Sequence, residues 1–443
     1  MDLLFKNITA VTMQPVSPVI QNADIGVKDG RIIILKDNSQ KSDNQKENQP
    51  IAKRIIDGTG KVLIPGLYNC HTHIPMSLLR GFANDLSLET WLFDHIFPAE
   101  KKIKEMPGAV YTAAMLSIAE MISSGTIAFS EMYFGLPEIA RAVDEAGVKA
   151  NLSNSVISFD PNGYNYRSSN DCIETLHVIE NYHKAPHKRI KAEAGLHCAY
   201  TTHPEAWRQV SEFAKEHNIG MHVHLSETVA EHNKSLELFD LTPASAFASH
   251  GVFDVPATAA HACWVSEDDM EILAEKGVTV VHNPVSNLKL ASGVAPIVDM
   301  MKKGINITLG TDGMASNNTH DLFEEIKIAS ILQKCAQEDP TALSAYETLE
   351  MATVKGAKAQ QRQGGMIADG YDADLVMLDF DTPRQIPCYD PIVSLAYSTT
   401  GRDVSMTLCQ GRVLYENGEY KTIDIEKILH EVKNITNELV RSL

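Results

Sequence analysis

The sequence predicts an α/β chain: a (β/α)8 barrel of the TIM type with a discontinuous β-sandwich domain built from both chain ends. Three observations predict it. Between residues 61 and 365, short β-branched apolar runs alternate with longer stretches of helical periodicity, the signature of parallel strands joined by helical crossovers. There are eight such runs, the number that closes a barrel. At both ends the strand-like runs are instead separated by tight-turn signals. The expected division is 1–60 plus 366–422 as a composite β-sandwich, 61–365 as the barrel, and 423–443 as a C-terminal helix.

In chain order, Ala23–Lys28, Asp29-Gly30 and Arg31–Leu35 read as a hairpin, because Asp-Gly supplies the positive φ angles of a two-residue turn. Residues 37–50 are almost wholly polar and read as a mobile loop tip that can bury nothing. The barrel strands are expected at 61–70, 126–133, 149–157, 190–198, 219–226, 257–264, 278–284 and 306–312. Residues 370–379 and 405–415 return to strand-like runs, with Asn417-Gly418 as a further turn. The simplest account pairs them with the N-terminal strands. The last segment spaces Ile425, Ile428, Leu429, Val432, Ile435 and Leu439 as one apolar helix face. It is read as a helix capping the body, with a partner-binding helix as the alternative.

Composition excludes several classes. The net charge of −18 over 443 residues argues against nucleic acid, whose phosphates need a basic face, and against anionic membrane surfaces. No apolar stretch is long enough to cross a bilayer, and no charged, apolar, small-residue leader pattern opens the chain. The seven cysteines include no C-x-x-C pair. They read as reduced thiols of a cytoplasmic protein.

Barrel enzymes build their sites where the strands end. The first run ends in His71-Thr72-His73. Residues i and i+2 of a strand share a face, so two imidazoles aim at one spot, an arrangement suited to zinc or a similar divalent ion. Later runs end in His197, in His222 and His224 with Glu227 just beyond, in His261, in His282 and in Asp312.

Four stretches carry a resemblance: Pro65–His73 (PGLYNCHTH), His222–Glu227 (HVHLSE), His282–Gly293 (HNPVSNLKLASG) and Gly310–Asn318 (GTDGMASNN). The chain resembles the amidohydrolase superfamily, and within it the branch that deaminates 5′-methylthioadenosine and S-adenosylhomocysteine. The resemblance implies one divalent metal ion, zinc first with iron or manganese as alternatives, held by His71, His73, His224 and Asp312. It implies that Asp312 also takes a proton from the nucleophilic water, that His261 orients that water, and that Glu227 shuttles protons to the ring nitrogen and the leaving amine. Glu227 could otherwise be a first-turn helix carboxylate. Binuclear relatives carry a bridging lysine at strand four; here that strand ends Leu196-His197-Cys198, so a single ion is expected. His197 resembles a base-contacting histidine and His282 a residue behind the ligands. His222 has no counterpart with a known role and is read as a core histidine.

On the substrate side, Trp91 and Phe93 could wall an apolar pocket, although Trp91 could equally pack inside its insertion. Glu100 resembles a carboxylate that accepts from the ribose diol. Arg167 is the candidate for a tail carboxylate, or else a solvated side chain. The expected partner is thus a small-molecule nucleoside, with a homo-oligomer anticipated. Guanine-type deamination and triazine-ring hydrolysis are the rival reactions, and a catalytically dead scaffold is the rival from another class.

Overall fold

The computed structural model of the chain describes residues 1–37, 51–160, 163–185 and 189–442. All but the first residue of the expected loop tip lies outside the described residues. The N-terminal strands are β1 (Leu3–Val11), β2 (Val19–Lys28), β3 (Arg31–Asp37), β4 (Arg54–Asp57) and β5 (Lys61–Pro65). The barrel follows: β6 (Leu67–His73), β7 (Thr126–Met132), β8 (Lys149–Ser153), β9 (Ile190–Leu196), β10 (Gly220–Leu225), β11 (Ala257–His261), β12 (Thr279–His282), β13 (Asn306–Leu309) and β14 (Asp312–Gly313). The chain then returns to the first sheet with β15 (Leu375–Asp379), β16 (Val404–Cys409), β17 (Arg412–Glu416) and β18 (Glu419–Tyr420).

The two chain ends meet where β15 pairs antiparallel with β5, giving the order β18-β17-β16-β15-β5-β1-β2-β3 with β4 on β1. The sheet curls until its far strand meets its middle. Arg31 bridges to Asp372, and the Ala373 amide donates to the Gly30 carbonyl at 2.8 Å. Side-chain alternation then divides the burial. Phe5, Ile25, Leu63, Leu375 and Leu408 fill the inside of the sandwich, while Ile64, Val376 and Leu378 face the larger barrel core. The Asp-Gly hairpin is present, with Lys28 opposite Arg31 and φ of 51° at Asp29 and 74° at Gly30.

The run expected to be one strand, 61–70, is two. Lys61–Pro65 belongs to the end sheet, and the barrel starts at Leu67. The break falls at Gly66, where a Cβ would lie 2.2 Å from the Ile127 side chain; only glycine lets the chain turn from one sheet into the other so close to β7. All barrel pairings are parallel, and the ring closes where Asp312 and Gly313 pair with Thr72 and His73.

Lys149, at the start of β8, fastens the two domains together. It forms ion pairs with Asp372 at 2.7 Å and with Asp374, its own side chain and that of Asp374 being 2% and 3% exposed. Burial opposes the charge, but the two carboxylates hold the ammonium pKa well above its usual value. The C-terminal helix Ile425–Ser442 packs on the helix Ala109–Ser123, burying Ile428 and Leu439. Among the described residues no helix is long and apolar enough to cross a membrane.

Candidate active site

His71 and His73 end β6 and are both buried. Their ring centroids lie 4.8 Å apart, and that of His224, from β10, lies 4.9 and 5.3 Å from them. Asp312 Oδ1 completes the group, 3.5 Å from His71 Nε2 and 3.2 Å from His73 Nε2. The donor atoms of His71, His73 and His224 lie within 4.8 Å of one another, as do those of His71, His261 and Asp312.

Hydrogen bonds settle how the imidazoles face. His73 Nδ1 donates to the Met132 carbonyl at 2.6 Å. His224 Nδ1 donates to the His197 carbonyl at 2.7 Å. Both therefore turn the lone pair of Nε2 inward, and the two Nε2 atoms lie 3.2 Å apart. His71 Nε2 is buried without a hydrogen-bond partner. Asp312 is held by Ser286 Oγ at 2.6 Å, Ser316 Oγ at 3.1 Å and the Gly313 amide at 2.8 Å. Burial pushes its pKa up, but its bonds to His71 and His73 prevail and hold it well below the usual carboxylate range. Asp312 has φ of 63° and His261 of 74°. Backbone strain of this kind concentrates at functional positions.

His261 Nδ1 donates to Asn287 Oδ1 at 2.9 Å, so its Nε2 faces the cluster and Glu227 Oε2, 3.9 Å away. Glu227 also accepts from Ser292 Oγ at 3.1 Å. Burial raises its pKa, the charge of Asp312 adds to the rise, and His261 and Ser292 oppose it. Behind it, Glu231 accepts from the Glu227 amide at 2.7 Å, and burial, followed by the Glu227 charge, pushes its carboxyl up to about 7.

The cluster opens into a cleft that Trp91, Glu100, His197 and Glu227 all line. Burial holds His197 neutral, its pKa down at about 3, and its Nδ1 lies 2.9 Å from Thr201 Oγ1. The Glu100 carboxyl is raised by burial, with Tyr133 and the Lys104 ammonium pulling the other way.

Arg167, Phe93 and His282 do not line the cleft. Arg167 is not at the cleft: it is exposed, paired with Glu216 on the helix Pro204–His217 and seated over the Phe213 ring. Phe93 is 38% exposed, and Phe97, one helical turn on, takes its place in the wall. His282 is fully buried without a hydrogen-bond partner for either ring nitrogen among the described residues, its pKa down at about 3 through burial and the neighbouring His261. It contacts no ligand candidate through a hydrogen bond.

Sequence reasoning also missed Tyr133, Phe134, Lys104, Asp171 and Glu231, which line the same cleft. Only Glu231 left a signal. Thr228-x-x-Glu231 has the form of a helix-start cap, and the Thr228 hydroxyl does accept from the Glu231 amide at 3.1 Å.

A parallel barrel that gathers three histidines and an aspartate at its rim, with His261 and Glu227 beside them in one cleft, has the form of a hydrolase active centre. A sequence profile described as the Amidohydrolase family matches residues 62–414, and the chain belongs to that family. It is 42% identical, over the full length of both chains, to the 5-methylthioadenosine/S-adenosylhomocysteine deaminase of Acetivibrio thermocellus. It is 40% identical to the 5′-deoxyadenosine deaminase of Methanosarcina acetivorans, over 99% of this chain and 98% of the other. Among solved structures, an adenosine deaminase from Xanthomonas campestris with bound zinc superposes with a TM-score of 0.92 at 30% identity, covering 100% of this chain and 99% of that one.

Proposed function

We propose that the chain hydrolytically deaminates 5′-modified adenosines, with 5′-methylthioadenosine and S-adenosylhomocysteine as the leading substrates, yielding the inosine analogues and ammonia. The observation that carries this reading is the shared cleft: the histidine–aspartate cluster, the Glu227–His261 pair and Glu100 all face one cavity. The names of the two relatives at 40–42% identity, a 5-methylthioadenosine/S-adenosylhomocysteine deaminase and a 5′-deoxyadenosine deaminase, support it.

The donor set fits one divalent ion, zinc first. Its lone pairs converge, and His71 Nε2 is a buried polar atom with nothing else to bond. His71, His73, His224 and Asp312 would hold the ion, which when bound would supply a water acidic enough to act as nucleophile at neutral pH. His261, its Nδ1 committed to Asn287, offers Nε2 as an acceptor that orients the water. Glu227, with a raised pKa, holds a proton beside the attacked carbon and delivers it to the adjacent ring nitrogen; it then takes up the two protons that the water gives up in turn, the first through Asp312, passing one to the departing amine and keeping the other for the next turnover. His197 and Trp91 hold the base. Glu100 offers two acceptor oxygens to the ribose diol, a group with no use in a free-base or triazine site.

The test is a panel of 5′-deoxyadenosine, 5′-methylthioadenosine, S-adenosylhomocysteine, adenosine, guanine and a chlorotriazine, read by loss of adenine absorbance and by released ammonia or chloride. Turnover of the adenosine derivatives is expected. Ammonia from guanine alone, or chloride alone, sinks the proposal.

A further inference from the structure

The barrel interior contains a file of polar side chains that the deamination chemistry does not use. His222 shares β10 with His224, and its Nε2 lies 3.0 Å from His71 Nδ1. On the neighbouring strand β9, Glu193 Oε2 stands 3.7 Å from His222 Nδ1. At 3.7 Å these two atoms are in electrostatic contact, longer than a hydrogen bond, and both are buried with no hydrogen-bond partner among the described residues. The other oxygen of Glu193 accepts from Asn151 Nδ2 at 2.7 Å. Asn151 Oδ1 in turn accepts from Arg362 at 2.9 Å, and the carbonyls of Ala150 and Arg189 anchor that guanidinium. His222, Glu193 and Asn151 are 0%, 4% and 1% exposed.

A carboxylate this deep costs stability unless its oxygens are matched. One hydrogen arrangement matches the whole file. His222 presents Nδ1–H to Glu193, leaving its Nε2 to accept Nδ1–H of His71, and His71 is left with a bare Nε2 lone pair facing His73 and Asp312. The opposite arrangement sets a carboxylate against a lone pair and puts the hydrogen of His71 where its neighbours need a donor atom. The partners of His73 and His224 are backbone carbonyls. His71 alone among the three is oriented by side chains.

We propose that Glu193 and His222 are positioning residues that fix the tautomer of His71 and make its Nε2 a stronger metal donor. The proposal rests on the reading that His71 holds the ion. Partners of this kind behind a metal ligand are worth 10- to 100-fold in metal affinity. Glu193→Gln keeps the shape and removes the charge. His222→Phe keeps the volume and removes the acceptor.

The experiment measures zinc affinity of the full chain by competition with a chromogenic chelator, alongside thermal melting of the metal-free forms. Each single variant is expected to bind zinc 10- to 100-fold more weakly, whichever way its metal-free melting moves, and the double variant no more than about twofold more weakly than the worse single. If one variant fails to fold, the other single variant decides. Affinity within twofold of the wild type in a folded single variant overturns the relay, and so do losses that simply multiply in the double. A wild-type chain that takes up no zinc overturns the metal reading itself, and the relay with it.

Discussion

In the proposed reaction Glu227 is the proton carrier, and an isosteric change isolates its proton. Glu227→Gln keeps the acceptor for Ser292 but cannot carry a proton to the base. Turnover should fall about 10²–10⁴-fold, the usual worth of general acid–base catalysis, while zinc content by elemental analysis stays at the wild-type value; lost zinc would assign Glu227 to the ligand set instead. Glu325 tests burial in the same way through stability. Burial lifts its carboxyl from 4.5 to about 8, although the Val285 amide and Asn317 pull it down. The folded state therefore binds the proton more tightly than the unfolded chain. The stabilisation is fully present below about pH 4.5 and is lost as pH rises through about 8. Denaturant midpoints at pH 6 and 8.5 should differ less in Glu325→Gln than in the wild type; an equal difference would show that Glu325 does not titrate there. At this scale the sequence was readable wherever a strand's own periodicity aimed the side chain, as for His71, His73 and His224. It was unreadable where the partner comes from elsewhere in the fold. Arg167 looked free because Glu216, which takes it, lies 49 residues on. His222 looked inert because Glu193 meets it only across the pairing of β9 with β10.

The helical insertion Leu88–Thr90, Trp91–Ile96 and Phe97–Glu105 puts Trp91, Phe97, Glu100 and Lys104 on one wall of the cleft. Glu100 and Lys104 are one helical turn apart and both line the cleft, so with the ribose on Glu100 as proposed, Lys104 is a cation available to the 5′ substituent. Lys104 and Asp171 offer the opposite charges that an amino-acid tail carries, a role first sought in Arg167. Lys104→Met should lower kcat/KM for S-adenosylhomocysteine about tenfold, or ~1.4 kcal/mol, and leave 5′-methylthioadenosine unchanged; equal losses on both would remove Lys104 from tail recognition. The strands impose a different constraint. A Cβ on Gly195 would stand 1.7 Å from the Asn154 carbonyl oxygen, because the chain leaving β8 crosses over β9 there. Gly195→Ala should therefore destabilise the fold by about 1–3 kcal/mol or more, read from denaturant unfolding, whereas an unchanged midpoint would mean that the crossing yields easily. Elements were legible to the extent that they repeat. Alternating runs exposed the barrel, but Val62–Tyr68 carries no charged or amide side chain, so nothing in its hydropathy showed that Pro65-Gly66 hands the chain from one sheet to another. Of the other residues lining the cleft, Tyr133 and Phe134 lie in the loop after β7, with no period to betray their direction, and Asp171 stands in the first turn of the helix Asn170–Val178.

For the molecule as a whole, the sandwich and the barrel are joined through a buried charge cluster as well as apolar packing. Removing Lys149 would leave the buried Asp374 without its cation and Asp372 with only the half-exposed Arg31, 2.7 Å away. Lys149→Met should cost about 3–5 kcal/mol, the usual price of orphaning a buried partner, and Asp374→Asn added to it should cost little more; additive losses in denaturant unfolding would show that the groups act separately. The barrel's seam has a consequence of another kind. It is closed by the pairing of Asp312 and Gly313 with Thr72 and His73, reinforced by Thr311 and Asn69, which exchange hydrogen bonds at 3.0 and 2.8 Å from positions 242 residues apart. On the ribosome, at roughly 5–20 residues per second, the paired histidines of β6 emerge about 12–50 seconds before the carboxylate that completes their set. On the proposed ligand set, a nascent chain displays an incomplete chelating pair until β14 is made and would gain its full coordination shell only as the ring shuts, so that loading would report the finished barrel and a bound ion would rivet the first strand of the ring to the last.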